Sequence, residues 1–201
     1  MSYAEAEHDR MIAAMLMPCV VVGVDLAAPA VRVSNGEWTS AWVRWHSLAA
    51  GKARHWRAPS LGEQGVLFNP SGQAGMGTFI PGLYGNAGGP PDNRDHVEVW
   101  RFDDGGSLVY DWKAKTYTIT LPTGTATIKV GSTVVTVTDN AVNATVGGTE
   151  FDLSPGWAAI KSPQIALIGA VEIDGPLHVT QSITGAADIL AAGNSDNHHK
   201  H

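Results

Sequence analysis

The run Thr125-Ala126-Thr127-Ile128-Lys129-Val130, followed two residues later by Thr133-Val134-Val135-Thr136-Val137-Thr138, decides the fold class of this chain. One face of each run is apolar and the other is mostly Thr or Lys. That is the period-two alternation of a β-strand with one dry side. The same texture, broken by Gly or Pro every ten residues or so, runs from Gly106 towards the end of the chain. It predicts strands at 116–121, 125–130, 133–138, 141–146, 150–153, 158–161, 164–168, 170–173, 177–180 and 182–184. After them the sequence closes on His198-His199-Lys200-His201.

Strands this short hold too few large residues for one chain to enclose a core, and no helix is available to cover them. A lone chain would expose a long apolar face and open strand edges. Self-association about the long axis removes both, so the sequence predicts a homotrimer. If strands of three chains alternate, each strand of one chain advances about three spacings of about 4.8 Å, and the stem becomes a rod on the order of 100 to 140 Å long. A single-chain β-solenoid is the alternative; against it, the strands show no strict period and no ladder of Asn or Gly at fixed positions. Trp157 is the last tryptophan, and the small residues beyond it predict a taper.

Upstream, 4–16 are good helix formers with Met11, Ile12, Met15 and Leu16 at helical spacing, and Pro18 is expected to stop that helix. Short β segments follow at 19–24, 30–33, 39–45, 65–68 and 77–80, separated by Pro29, Asn35-Gly36, Pro59, Asn69-Pro70-Ser71-Gly72 and Pro81-Gly82. Five such strands fit a small closed barrel, for which the OB-fold is the size match. Gly88-Gly89-Pro90-Pro91 reads as a linker leaving it. The chain is thus all-β, with boundaries at 1–17 for the helix, 18–88 for the barrel, 89–105 for a linker and first hairpin, 106–190 for the stem and 191–201 for the apex.

Composition excludes several classes. A net charge of −6 argues against a nucleic-acid or anionic-membrane binder, which would carry a basic face. The single cysteine, Cys19, permits no internal disulfide framework. The apolar stretch 11–24 follows Glu5, Glu7 and Asp9, the wrong flank for a signal peptide, and no apolar run reaches membrane-spanning length. The expectation is no export signal and no permanent membrane anchor.

Within the barrel, Trp38, Trp42, Trp45 and Trp56 lie near Arg44, Lys52, Arg54 and Arg57. Such aromatic and basic residues could stack sugars or bases; the plainer reading is that the rings pack the barrel and a subunit interface. The strings Trp42-Val43-Arg44-Trp45, Gly51-Lys52-Ala53-Arg54-His55-Trp56-Arg57-Ala58-Pro59-Ser60-Leu61-Gly62-Glu63-Gln64-Gly65-Val66 and Pro81-Gly82-Leu83-Tyr84 resemble the phage baseplate assembly protein V family. Members are the central spikes of contractile phage tails, with related spikes in R-type pyocins and type VI secretion. The resemblance implies an N-terminal helix, an OB-fold barrel and an intertwined trimeric β-helix stem with a metal-bound C-terminal apex. It also implies that the barrel and helix seat the spike on the tail hub.

The motif also has a mechanical reading. Pro59 fixes a turn, Gly62 lets the backbone reverse, and Glu63-Gln64 can satisfy turn amides before a buried strand. Glu63 is therefore architectural rather than an acid or base. Asp103-Asp104-Gly105-Gly106 is a hairpin signal. Adjacent carboxylates on a turn cannot face each other across a sugar, so a glycosidase pair is not expected there. No catalytic residue and no enzyme activity are predicted.

At the C-terminus, His199 and His201 are two residues apart on a strand and can point the same way while Lys200 turns out. Three chains bring six imidazole nitrogens to an axis. Zinc prefers four ligands, whereas imidazole also suits iron and nickel, so the donor set points to iron or nickel ahead of zinc. The family resemblance implies the same site: a His-x-His motif holding one buried iron ion per trimer, with His198 outside it. His8, His46, His55, His96 and His178 are given no role.

The leading expectation is a structural spike at the baseplate tip of a phage or pyocin particle. It would be assembled in the bacterial cytoplasm and driven through a target's outer membrane, which it contacts transiently, when the sheath contracts. The alternatives are a trimeric receptor-binding tail fibre or adhesin and an OB-fold protein that binds glycan or nucleic acid.

Overall fold

The computed structural model describes residues 3–73 and 76–186. By its contacts the chain divides into one unit ending at Pro122 and a second beginning at Thr123.

The first unit opens with helix α1 (Tyr3–Ala13), which buries no residue, and passes directly into strand β1 (Leu16–Asp25). The helix is shorter than the sequence predicts, and Pro18 does not end it: Pro18 lies inside β1, opposite Val66. Local propensity loses to tertiary pairing here. From Leu16 to Val20, β1 pairs with β4 (Gln64–Phe68), while pairing with β2 (Ala30–Ser34) starts only at Val20. At Pro18 the strand is one-sided, so the missing N–H leaves no ladder bond unmade.

Strands β3 (Val43–Trp45) and β5 (Thr78–Leu83) complete a closed barrel of order β1-β2-β3-β5-β4, in which only the β3–β5 pair is parallel. This is the five-stranded closure expected of an OB-fold. The third strand begins at Val43 and not at Thr39, because Ser40 is used as a clasp. The Val33 amide donates to Ser40 Oγ at 2.9 Å, the Ser40 amide to the Val33 carbonyl at 2.8 Å, and Arg32 Nε to the Ser40 carbonyl at 3.1 Å.

Closure gives the barrel a real core. Val31, Val33, Leu67 and Phe79 are fully buried, with Cys19, Val21 and Val43 beside them and Trp38 and Trp45 packed against the cluster. Burial pushes the Cys19 thiol pKa up, as for an inert core thiol. Gly65 is required by this core, since a Cβ there would sit 2.5 Å from the Phe79 ring and 2.3 Å from the Ile80 carbonyl.

After the linker, β6 (Val97–Arg101), β7 (Ser107–Asp111) and β8 (Thr116–Thr120) form a three-stranded antiparallel meander belonging to the first unit. The β6–β7 turn is the hairpin that Asp103-Asp104-Gly105-Gly106 signals. The Phe102 amide donates to the Gly106 carbonyl at 2.9 Å, the Gly106 amide to Asp104 Oδ1 at 2.9 Å, and Gly105 takes φ +87°.

The second unit contains β9 (Thr125–Val130), β10 (Thr133–Thr138), β11 (Val142–Val146), β12 (Thr149–Ser154) and β13 (Trp157–Lys161), an antiparallel sheet in sequence order. These strands match the period-two reading closely, but their pairing corrects it. Consecutive strands of one chain pair with each other, so each advances about one 4.8 Å spacing and not three. The reason is loop length: Gly131-Ser132, Gly147-Gly148 and Pro155-Gly156 are two-residue connections, which fold a strand straight back onto its predecessor. The four strands expected at 164–168, 170–173, 177–180 and 182–184 are not strands in the chain, because no described segment of it lies beside them.

Candidate functional site: an apolar sheet face

The barrel motif forms a closed clasp. Arg57 reaches Glu63 with both guanidinium nitrogens, at 3.2 and 2.5 Å, and the Ser60 amide donates to Glu63 Oε2 at 2.9 Å. The Glu63 amide returns to the Ser60 carbonyl at 3.0 Å, and Gly62, at φ +82°, donates to the Val21 carbonyl at 2.9 Å. The Gly62 bond ties the turn to β1, while the others close the turn on itself and use up the Glu63 carboxylate. Gln64 fills the space that a side chain on Gly85 would take. The motif is structural, as its turn chemistry predicts.

The four barrel tryptophans divide into two pairs. Trp38 and Trp45 lie against the core, while Trp42 and Trp56 are exposed, with Trp45 and Trp56 rings 5.5 Å apart. Of the nearby cations, Arg57 is committed to Glu63. The wall formed by Arg44, Trp45, Ser47, His55 and Trp56 is a shallow recess.

The three-stranded sheet has one aromatic face. Cross-strand register places Glu98, Tyr110 and Tyr117 in one row and Trp100, Leu108 and Ile119 in the next. Together Glu98, Trp100, Leu108, Tyr110 and Tyr117 line an open recess of about 360 Å³. The sheet is clipped to its linker by Asp111, which accepts from the Lys113 and Ala114 amides at 3.0 and 2.8 Å and from Arg94 at 3.1 Å. The Ala114 amide, helped by His96 and Arg94, holds the Asp111 pKa below the usual carboxylate range against the desolvation that opposes it.

In the second unit the register sorts side chains by chemistry. Ile128, Val135, Ala144, Phe151 and Ile160 form a continuous row across all five strands, and Ala126, Val137, Val142, Leu153 and Ala158 form the row beside it. The opposite face carries Thr127, Lys129, Thr136, Asn143, Thr145, Glu150, Asp152 and Lys161, with Val134, Trp157 and Ala159 as its apolar members. Polar pairs knit that face: Asn143 donates to Asp152, Thr145 to Asn143 at 3.0 Å, and Lys161 meets Glu150 at 3.4 Å.

The apolar face has no such partners. Ile128 is 69% exposed and Val130 75%, and beyond Asp111 no described residue is buried at all. Strand pairing is complete within the sheet while its dry side faces solvent. Such a surface is built to be covered.

The expected metal ligands, His199 and His201, lie outside the described residues. Among the described residues no group of three or more His, Cys, Asp or Glu side chains is arranged to hold a metal, and no helix is long and apolar enough to cross a membrane. Sequence reasoning found the apolar face but missed its row structure, which follows from the two-residue loops once pairing between successive strands is assumed.

Residues 17–84 match the family described as the type VI secretion system/phage-baseplate injector OB domain. Residues 98–151 match the β-helical trimerization domain of Gp138, a match that starts in β6 and ends in β12. The spike protein of Escherichia phage P2 is 31% identical over 114 residues, covering 56% of this chain and 54% of that protein. The chain therefore spans about half the length of this curated relative. The chain is thus similar over its barrel to an injector OB domain, over β6 to β12 to a β-helical trimerization domain, and over about half its length to a phage spike protein.

Proposed function

We propose that the chain is the central spike of a contractile baseplate, a homotrimeric needle that punctures the target's outer membrane when the sheath contracts. The observation that carries this reading is the unburied apolar face of β9–β13, which three copies can turn inward about a common axis. Covering it with two further copies gives a stem in which no apolar face is left to solvent. The role is structural, with the clasped barrel and the N-terminal helix as the parts that seat the spike on the tail hub. Glu63 and Asp104, the carboxylates that most invite a catalytic reading, are committed to turns.

Light scattering should give three times the chain mass. Particles assembled with the spike should admit a fluorescent outer-membrane probe into target cells, and particles whose spike stops at Ser162 should admit at least tenfold less. Equal uptake by both would sink the puncturing role.

His199 and His201 supply two neutral imidazoles per chain and six per trimer. That donor set suits one iron ion, with nickel or zinc less well matched, and a filled shell would tie three chain ends together. Purified trimer should contain about one iron per three chains, and the double variant His199→Ala, His201→Ala should contain none. Unchanged metal in that variant would refute the assignment.

A further inference from the structure

We propose that the recess on the barrel binds an acidic oligosaccharide, with one sugar ring in the corner between Trp45 and Trp56 and its carboxylate on Arg44. This goes beyond the spike reading and depends neither on the puncturing role nor on the trimer.

Charge marks the place. Between Glu37 and Glu63 the chain carries Arg44, Lys52, Arg54 and Arg57 and no Asp or Glu, in a protein whose net charge is −6. Arg57 is held by Glu63, whereas among the described residues Arg44, Lys52 and Arg54 meet no carboxylate. A local surplus of free cations on an acidic chain attracts an anion.

The fold brings aromatic rings to the same place. Arg44 and Trp45 lie on β3, where Arg44 pairs with Ala30 of β2. Ala28 in the β1–β2 turn, with His55 and Trp56 in the loop after β3, completes an open recess of about 340 Å³. That volume is at the small end for ligand sites, which span about 300–1,000 Å³. Strands two and three and the first loop make the face on which OB-folds hold oligonucleotides and oligosaccharides.

The loop is set before any ligand arrives. Ser47 Oγ donates to the His55 carbonyl at 2.5 Å, the His55 amide to the Ala49 carbonyl at 2.9 Å and the Gly51 amide to the Ala53 carbonyl at 3.1 Å. These bonds close the loop at its neck, and the His55 ring stands edge-on to Trp100 of β6, with centroids 6.2 Å apart. Trp56 is thereby held in the open, 62% exposed, with Trp45 as its ring neighbour. An indole kept at the surface by a bonded loop leaves its face for another molecule.

Ring geometry and charge select the class of ligand. The planes of Trp45 and Trp56 are inclined at 59° with their centroids 5.5 Å apart. Such a corner offers two apolar faces to the C–H groups of a puckered sugar, whereas a flat base can lie parallel to only one of them. Three free cations round one recess are also too few to follow a nucleic-acid backbone. The planar guanidinium of Arg44 suits a carboxylate, which accepts two parallel N–H bonds. A phosphate is better served by a nest of free loop amides, and those of Gly51 and His55 are already bonded within the loop.

The test is calorimetry on full-length protein with tri-galacturonate. Maltotriose serves as the neutral counterpart, a hexose phosphate as the other anion and oligothymidylate as the single strand. Tri-galacturonate should bind at a single site per chain, and maltotriose about tenfold more weakly. Arg44→Gln should weaken tri-galacturonate about tenfold, as the loss of one charge-assisted contact does. Trp56→Ala, an exposed loop position, should do the same. Trp112→Ala, in the turn after β7 and outside the recess, should change nothing.

Equal binding of maltotriose would overturn the acidic part of the proposal, and tighter binding of the hexose phosphate would overturn the carboxylate. Tighter binding of oligothymidylate would make the recess a nucleic-acid site. Tri-galacturonate binding that survives both Arg44→Gln and Trp56→Ala would place the sugar elsewhere. No heat with any probe overturns the proposal outright, and a trimer that dissociates in Trp56→Ala would then assign the recess to a contact between copies.

Discussion

The barrel and the β9–β13 sheet are built from similar material, short runs of Val, Ile and Thr between glycines, yet only one of them has an inside. In the barrel, β1 pairs with both β2 and β4, so the sheet closes and buries Val21, Val31, Val33, Leu67 and Phe79. In the second sheet β9 and β13 never meet, and Ile128, Val135, Phe151 and Ile160 stay at the surface of the lone chain. The difference lies in topology rather than composition. Closure lets one chain satisfy its own apolar residues; an open, one-sided sheet passes that requirement to other copies.

The sharpest way to break this contrast is to place a charge on the open sheet. Phe151 stands in the middle of the apolar row, between Ala144 and Ile160. In the trimer, Phe151→Asp would bury three like carboxylates near one axis, each without a partner, at a cost of several kcal/mol per chain. Scattering mass should fall from three chains to one, while near-ultraviolet signals from the barrel tryptophans persist. A Phe151→Asp protein that remains trimeric would show that this face is not the covered one.

The matching change in the barrel should act on stability and leave assembly alone. Phe79→Ala removes the largest fully buried side chain and leaves a cavity beside Gly65 and Leu67, worth about 3–5 kcal/mol. Calorimetry should show the barrel transition lowered by many degrees, with the mass at room temperature unchanged. Loss of the trimer in this variant would make the barrel a required part of the assembly and weaken the division drawn above.

Much of this was legible in the chain before any coordinates. The five barrel strands, the Asp103–Gly106 turn and the alternation of 125–138 follow from patterns that act over a few residues, and the structure keeps them. The Glu63 clasp was legible in kind, as a turn device, though its Arg57 partner was not. What failed were statements about which segment lies beside which. Pro18 reads as a helix stop until β4 is known to be its sole neighbour. Strand alternation among chains reads as plausible until Gly131-Ser132 and Gly147-Gly148 are taken as hairpin loops that allow no other strand to intervene.

The smallest expected effect is the one that most directly checks which side of the open sheet faces inward. Glu150 and Lys161 are paired across β12 and β13 on the polar face, with the ammonium 3.4 Å from the carboxylate and its side chain three-quarters exposed. If that face is the outer surface of the stem, the pair is a solvated ion pair, and double-mutant cycles on such pairs give about 0.2–1 kcal/mol. Glu150→Ala, Lys161→Ala and the double variant should all remain trimeric, with stabilities within about 1 kcal/mol of the parent and a coupling that fades as salt is raised. A dissociated trimer, or a coupling of several kcal/mol insensitive to salt, would place Glu150 and Lys161 in a dry interface. The sheet would then be inside out relative to the proposal, with Ile128, Val135 and Phe151 on its solvent side.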